Sequence, residues 1–333
     1  MTDKSDEMNK KGQLGGLVVE EDVAEDANNF TLELDSELRS TEQAVISQRN
    51  IGNVAGEARS WSMSRTYIQR FQPVPWFIWR LSNYVLGTPG HINKINEGFV
   101  MGLRRLLFAA ASDATLGAGK KINDVKESLK ILSADSIAAV AVIHSICRRL
   151  SNMEFERIWR PILEDAILRA HMGSMLGKYD STFGQGRGML AGFAGRAGLT
   201  ILLSSGELEQ AREALELLAS GKEISEVGMK VYETNPLQVS AMLLSAAGCG
   251  RDAAFGTVSY AYKDDASKLV ENKEQLKWLA AFTITEHIRS GKVDQIDPIL
   301  WTSLSIKDDA VKTEILDNSK KLIRRGHGWG WLV

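Results

Sequence analysis

Phe183-Gly-Gln-Gly-Arg-Gly-Met-Leu-Ala-Gly-Phe-Ala-Gly-Arg-Ala-Gly-Leu-Thr-Ile-Leu-Leu-Ser-Ser205 is the stretch on which the fold turns. Glycines at 184, 186, 188, 192, 195 and 198 run through an apolar segment with no strand alternation. From Ala191 to Ser204 the pattern predicts a helix. A glycine inside a helix costs about 1 kcal/mol relative to alanine, so several of them need an offsetting gain, and close approach of neighbouring helices supplies it. The glycines at its start have the look of a phosphate loop, but the whole stretch reads as a central packing helix.

Helical spacing continues on both sides. Upstream, a stripe of Ile95, Phe99, Leu103, Leu106 and Leu107 predicts a helix over 92–111, flanked by Arg104 and Arg105. Asn123 is expected to cap a helix through Leu132, and Asp135 another through Leu150. A long helix is expected over 153–179, restarted or kinked at Pro161. Gly117-Ala-Gly-Lys-Lys121 has Ala114 and Lys121 where a P-loop needs Gly and a hydroxyl, so it reads as a turn. Downstream, helices are expected over 207–219, 223–231, 235–248, 252–262 and 265–290. No convincing strand pattern follows residue 70. The fold class is therefore all-α, a multi-helix bundle.

Three regions are expected. Residues 1–60 are polar, and Met1 to Glu42 holds twelve acidic against four basic residues, a net charge of −8. Such a segment buries too little apolar surface to offset its ordering entropy, so a disordered acidic tail is expected. Residues 70–290 form the helical domain. Residues 291–333 form a helical extension ending in Arg324-Arg-Gly-His-Gly-Trp-Gly-Trp-Leu-Val333, whose Trp329 and Trp331 suit either docking to a partner or folding back onto the domain.

Composition excludes several classes. A net charge of −2 over 333 residues and a pI near 6.3 argue against nucleic-acid binding through a general basic footprint. Cys147 and Cys249 lie far apart in apolar contexts, as expected of buried free thiols in a reducing compartment. Neither a run of about 18 apolar residues nor a signal-type start is present, so a cytoplasmic protein without membrane insertion is expected. The histidines at 91, 144, 171, 287 and 327 form no His-x-x-x-His pair, and no Gly-x-Ser-x-Gly, Walker or Cys-x-x-Cys motif occurs. His144 and Cys147 stand at helical spacing in an apolar helix, where a structural role is favoured over a thiol–imidazole pair.

Several stretches together resemble the HD-related output domain, a bacterial helical module similar to the HD phosphohydrolases and usually regarded as non-catalytic. Leu106-Leu-Phe-Ala-Ala-Ala-Ser-Asp-Ala-Thr-Leu-Gly117 resembles its helix ending in an Asn-Ser-Ala type turn, with Ser112-Asp113 in that place. Ile122 to Leu132 is similar to a segment that precedes Leu-Gly, with Ser133 for the Gly. Phe155-Glu-Arg-Ile-Trp159 resembles a Trp-bearing helix, and Leu190 to Leu203 falls where the family carries Leu-Ala-Gly and then often His-Asp. Val239 to Tyr262 resembles the final helices. Gly195-Arg196 stands at the His-Asp position and Tyr260-Ala261-Tyr262 where Tyr-His-His is often found.

The resemblance implies a regulatory or signalling protein that acts through protein–protein contact, with no catalytic residue, no metal ligand and no cofactor. Arg196 has no lone pair to give a metal. Two readings of it stay open. It pairs with a buried carboxylate, Glu164 or Asp165, and locks the bundle; or, with Arg187, Arg169, Tyr260 and Tyr262, it lines a relic pocket for a nucleotide-like or phosphorylated ligand. An active metal phosphohydrolase is the least favoured reading, since its ligand set cannot be found.

Overall fold

The computed structural model describes residues 21–48, 54–87, 95, 97–262 and 270–333. Those residues form sixteen α-helices and no strand. In chain order they are α1 (Glu21–Gln48), α2 (Val54–Phe71), α3 (Trp76–Ser82), α4 (Glu97–Val100), α5 (Arg104–Ser112), α6 (Val125–Ile131), α7 (Ala134–Leu150) and α8 (Glu156–Gly177). Then follow α9 (Gln185–Ser205), α10 (Leu208–Ala219), α11 (Ile224–Tyr232), α12 (Pro236–Ala246), α13 (Arg251–Ser259), α14 (Lys273–Ser290), α15 (Pro298–Ser303) and α16 (Asp309–Arg325).

Helix α9 is the axis of the molecule, buried from Gly186 to Ser204 except at Arg196. It touches α7, α8, α12 and α14, and its glycines explain how so many neighbours fit. A Cβ on Gly188 would lie 2.3 Å from the Gly173 carbonyl oxygen of α8, and one on Gly192 would lie 2.1 Å from that of Arg169. Gly173 returns the relation, its Cβ falling 2.1 Å from the Gly188 oxygen. Helices α8 and α9 therefore meet backbone to backbone along a glycine seam. Gly198 does the same against α12, 2.0 Å from the Pro236 oxygen.

The glycines at the start of α9 serve a different contact. The buried Asp135, on the first turn of α7, accepts a hydrogen bond from the Gly186 amide at 2.6 Å. A Cβ on Gly184 would strike that carboxylate, and one on Gly186 the Asp135 backbone. A side-chain carboxylate thus sits where a helix N-terminus favours an anion. Asp135 does not cap its own helix as expected; Ser133 caps α7 through the Ser136 amide. Likewise Asp124, not Asn123, caps α6.

Other elements depart from expectation in instructive ways. Helix α8 begins after Phe155, in the left-handed region at φ 59°, and passes through Pro161 as one helix. The stripe read as one helix over 92–111 is broken at Met101–Leu103, around Gly102, into α4 and α5. Residues 91–94 and 263–269, where that helix and the one over 265–290 were expected to begin, lie outside the described residues.

The disordered tail is the main correction. Residues 1–20 and 49–53 lie outside the described residues, but 21–48 form α1 and 54–60 the start of α2. Leu34, Leu38, Thr41 and Val45 are buried, and the Thr41 hydroxyl bonds to that of Ser245 on α12 at 2.9 Å. Their spacing of four, three and four residues makes one helical stripe, which anchors an otherwise acidic helix.

Candidate functional site

Arg196 and Arg169 meet where α8, α9 and α14 converge. Asp165 and Arg169 stand one helical turn apart on α8, and the Arg169 Nε donates to the Asp165 carboxylate at 2.8 Å. The Arg169 side chain is 3% exposed. Its Nη1 reaches across to Glu286 of α14. Arg196 enters from α9, with Nε 3.2 Å from Asp165 and Nη1 3.3 Å from Glu286. Arg289, one turn beyond Glu286, closes the set with Nε donating to the other Asp165 oxygen at 2.7 Å.

Two carboxylates are thus shared by three guanidiniums from three helices. Burial alone would raise the Asp165 carboxyl, but Arg169, Arg196 and Arg289 reverse that and hold it below the usual carboxylate range. Burial and the neighbouring Arg169 act against Arg196 and lower it, while Glu286 and Asp165 oppose the change. It stays charged, as arginine does in proteins. Tyr260 borders the cluster, its ring 5.0 Å from that of Phe282, and burial together with Glu286 pushes its phenol up to about 12. It titrates too high to serve as a base near neutrality.

The remaining predicted residues lie elsewhere. Arg187 is buried and spent on backbone carbonyls, donating to Phe183, Val85 and Leu86 at 3.1 to 3.2 Å. It ties α9 to the end of the α3 region. Tyr262 gives its hydroxyl to Glu57 of α2. These two do not join Arg169 and Arg196 around one cavity. Sequence reasoning named Asp165 as a partner for Arg196 but missed Glu286 and Arg289. The only signal for them was a charged pair three residues apart on α14, a spacing equally common on solvent faces.

Trp329 and Trp331 are turned onto the domain itself. Trp329 is fully buried, stacked on His171 with ring centroids 4.2 Å apart, and its Nε1 donates to Thr115 at 3.1 Å. Half-buried Trp331 donates to Asp113 at 3.3 Å. His171 Nδ1 donates to the His327 carbonyl, and His327 bonds Glu164, so Glu164 serves the tail and not Arg196. The His144 ring donates to the Leu332 carbonyl at 2.8 Å. Trp329 therefore offers a partner nothing while this tail is seated; an exposed indole pair would have left a large apolar area in water.

Both cysteines are buried, and burial pushes each thiol up to about 12. A thiol that stays protonated is a poor nucleophile. Among the described residues no group of three or more His, Cys, Asp or Glu side chains is placed to hold a metal ion. The chemistry of the cluster agrees. Asp165 and Glu286 are the oxygen donors present, and both already accept from guanidiniums. A dication would have to displace or repel three fixed positive charges, so a metal does not fit these residues.

No model of a known protein family matches the chain, and no curated protein shows significant similarity to it. Solved structures do. A "Putative phosphohydrolase" from Shewanella amazonensis SB2B superposes with a TM-score of 0.55 at 13% identity, covering 78% of this chain and 94% of that one. A "Putative signal transduction protein" from Marinobacter aquaeolei VT8 superposes with a TM-score of 0.56 at 14% identity, covering 85% of this chain and 66% of that one. At such identities the likeness establishes the fold, an HD-like helical fold.

Proposed function

We propose that this chain is a non-catalytic regulatory protein of the bacterial signalling type that acts by binding another protein. One observation carries the reading: three arginines share two carboxylates where the resemblance puts a His-Asp pair, which leaves that centre with a surplus positive charge. Metal-assisted hydrolysis needs a cation with open coordination positions beside a phosphate. The cluster supplies instead guanidiniums that are each already paired with a carboxylate. The name of the Marinobacter structure is in keeping with a signalling role.

A sensor of phosphorylated ligands is the less favoured alternative, because a phosphate would first have to break the Arg169 and Arg196 ion pairs. The test is direct. The full chain is incubated with phosphate mono- and diesters and cyclic nucleotides, each with Mg²⁺, Mn²⁺ or Zn²⁺, and its metal content is measured. The expected result is turnover at the blank level and no stoichiometric metal. Turnover that disappears in R196A overturns the reading; a thermal shift with a nucleotide, absent in R196A, favours the sensor.

A further inference from the structure

The outer side of the molecule carries an open groove of about 1430 Å³ between α1, the α2–α3 turn, α5 and the end of α7. Leu32, Phe77 and Met101 line it and are 71%, 43% and 53% exposed. Large apolar side chains gathered at one open groove are the mark of a contact surface, whereas scattered ones need no explanation.

The charge of the groove is as uneven as its apolar content. Arg104 and Arg105 line it from α5, and Arg148 and Arg149 from the last turn of α7. All four are exposed and none is in an ion pair among the described residues, although Arg149 Nε donates to the Phe71 carbonyl at 3.0 Å. The acidic lining residue, Asp35, is already engaged by Arg39 and Gln69. The whole chain is nearly balanced, with 40 basic and 42 acidic residues, so four arginines without ion pairs on one groove stand out. Arg104 and Arg105 also occupy the first turn of α5, which holds no acidic residue. A helix N-terminus repels cations, so their placement costs local stability and is not explained by the helix itself.

From this charge complementarity we propose that the groove receives a partner protein through an acidic segment bearing apolar anchor side chains. The anchors would cover Leu32, Phe77 and Met101, and the carboxylates would pair with Arg104, Arg105, Arg148 and Arg149, giving attraction over distance and a fixed register. The chain's own first twenty residues are a poor occupant, with four acidic residues offset by three lysines. The proposal rests on the reading of the chain as a partner-binding protein and names the face that binds.

The experiment is panning of a random 16-residue peptide display library against the full chain, with the best peptide then titrated by fluorescence anisotropy. Expected are sequences rich in Asp and Glu with Leu, Phe or Trp at helical or alternating spacing, and at least tenfold weaker binding to R104E/R105E and to F77A/M101A. The same charge change away from the groove, K222E/K230E, is expected to leave binding within twofold. Selection of nothing above background, of basic or uncharged sequences, or of peptides indifferent to R104E/R105E overturns the proposal. So does equal retention on anionic phosphatidylserine vesicles, or a photo-crosslink from position 101 to residues 1–20 of the same chain. An empty selection with the hydrolysis assay still blank removes the groove and leaves the non-catalytic reading; turnover lost in R196A beside an intact selection does the reverse.

Discussion

Gly188→Ala tests the glycine seam, because two opposed effects of known size meet there. Alanine favours a helix interior by about 1 kcal/mol over glycine. The added Cβ would lie 2.3 Å from the Gly173 oxygen and 2.9 Å from the Gly177 nitrogen, where ordinary contact begins near 3.4 Å. Both are backbone atoms of α8, so no side chain can swing away and the helices must part by about 1 Å. A gap of that size forfeits a quarter to a half of each dispersion contact, and on the order of 40 contacts at 0.1–0.2 kcal/mol lose about 2–3 kcal/mol. The overpacking range of about 1–3 kcal/mol agrees. Net destabilisation of about 1–2 kcal/mol is expected, a fall in Tm of about 1.5–3 °C by thermal denaturation. Gly195→Ala supplies the control on the same helix. Its Cβ would meet nothing nearer than Arg169 Cδ at 3.5 Å, so the propensity gain stands alone and Tm is expected to hold or rise. Equal shifts in the two variants, or a G188A Tm within 1 °C of wild type, would refute backbone contact as the reason for the glycines.

Three further outcomes are expected. Arg169→Ala removes two charge-assisted hydrogen bonds made by a side chain that is 3% exposed, while Arg196 and Arg289 still pair with Asp165 and Glu286, and is expected to cost about 2–3 kcal/mol in chemical denaturation; a cost under 1 kcal/mol would show the network to be ornamental. Trp329→Ala removes a fully buried indole, so a loss of about 3–5 kcal/mol is expected, or, if the tail detaches alone, a smaller loss with fast hydrogen exchange confined to 324–333 and the Thr115 turn. Acid should act in two steps. Burial lowers the His171 pKa below its ordinary value near 6.5, so the unfolded chain binds the extra proton and the stability given by neutral His171 declines as pH falls below that value. Asp180, which burial would raise, is brought down to about 2 by Thr182, the Phe183 amide, Ser305 and Lys277. Its contribution is complete above pH 4 and is lost as pH falls through 2, and D180N should flatten that lower step in a stability–pH series.

Helical periodicity was legible wherever apolar residues dominate, and there the sequence reading and the structure agree on an all-α fold. It was obscured in α1, where Leu34, Leu38, Thr41 and Val45 form a stripe only if Thr41 counts as an inward residue. Composition over the whole segment outweighed that stripe, since acidic and polar side chains hold most of the remaining positions. Capping was misread for a related reason. Asp135 stands two residues beyond Ser133, either of which could begin α7, and only the position of α9 draws the carboxylate across. The charge cluster was half legible: Asp165 and Arg169 share a helix face by spacing, but Glu286 lies 117 residues from Arg169 and meets it only through the fold. The tryptophans left two outcomes open because their burial depends on His171 and Thr115, which no local pattern connects to the tail.

Two positions where an HD-like fold has the means to hold something foreign are filled here by the chain's own charges. Asp135 occupies the N-terminus of α9, where a phosphate would otherwise be favoured, and Arg169 with Arg196 occupies the convergence of α8, α9 and α14. The charges left without ion-pair partners among the described residues are then the informative ones. Arg104, Arg105, Arg148 and Arg149 stand together on an exposed groove beside bare apolar side chains, the reverse of the self-satisfied centre. If binding has moved from the core to that surface, substitutions should separate cleanly. Changes at Arg196 would lower stability and spare peptide binding, while R104E/R105E would weaken binding at least tenfold without lowering Tm, since glutamate suits the N-terminus of α5 better than arginine. A single variant that lowered both properties together would join the two regions and contradict the division.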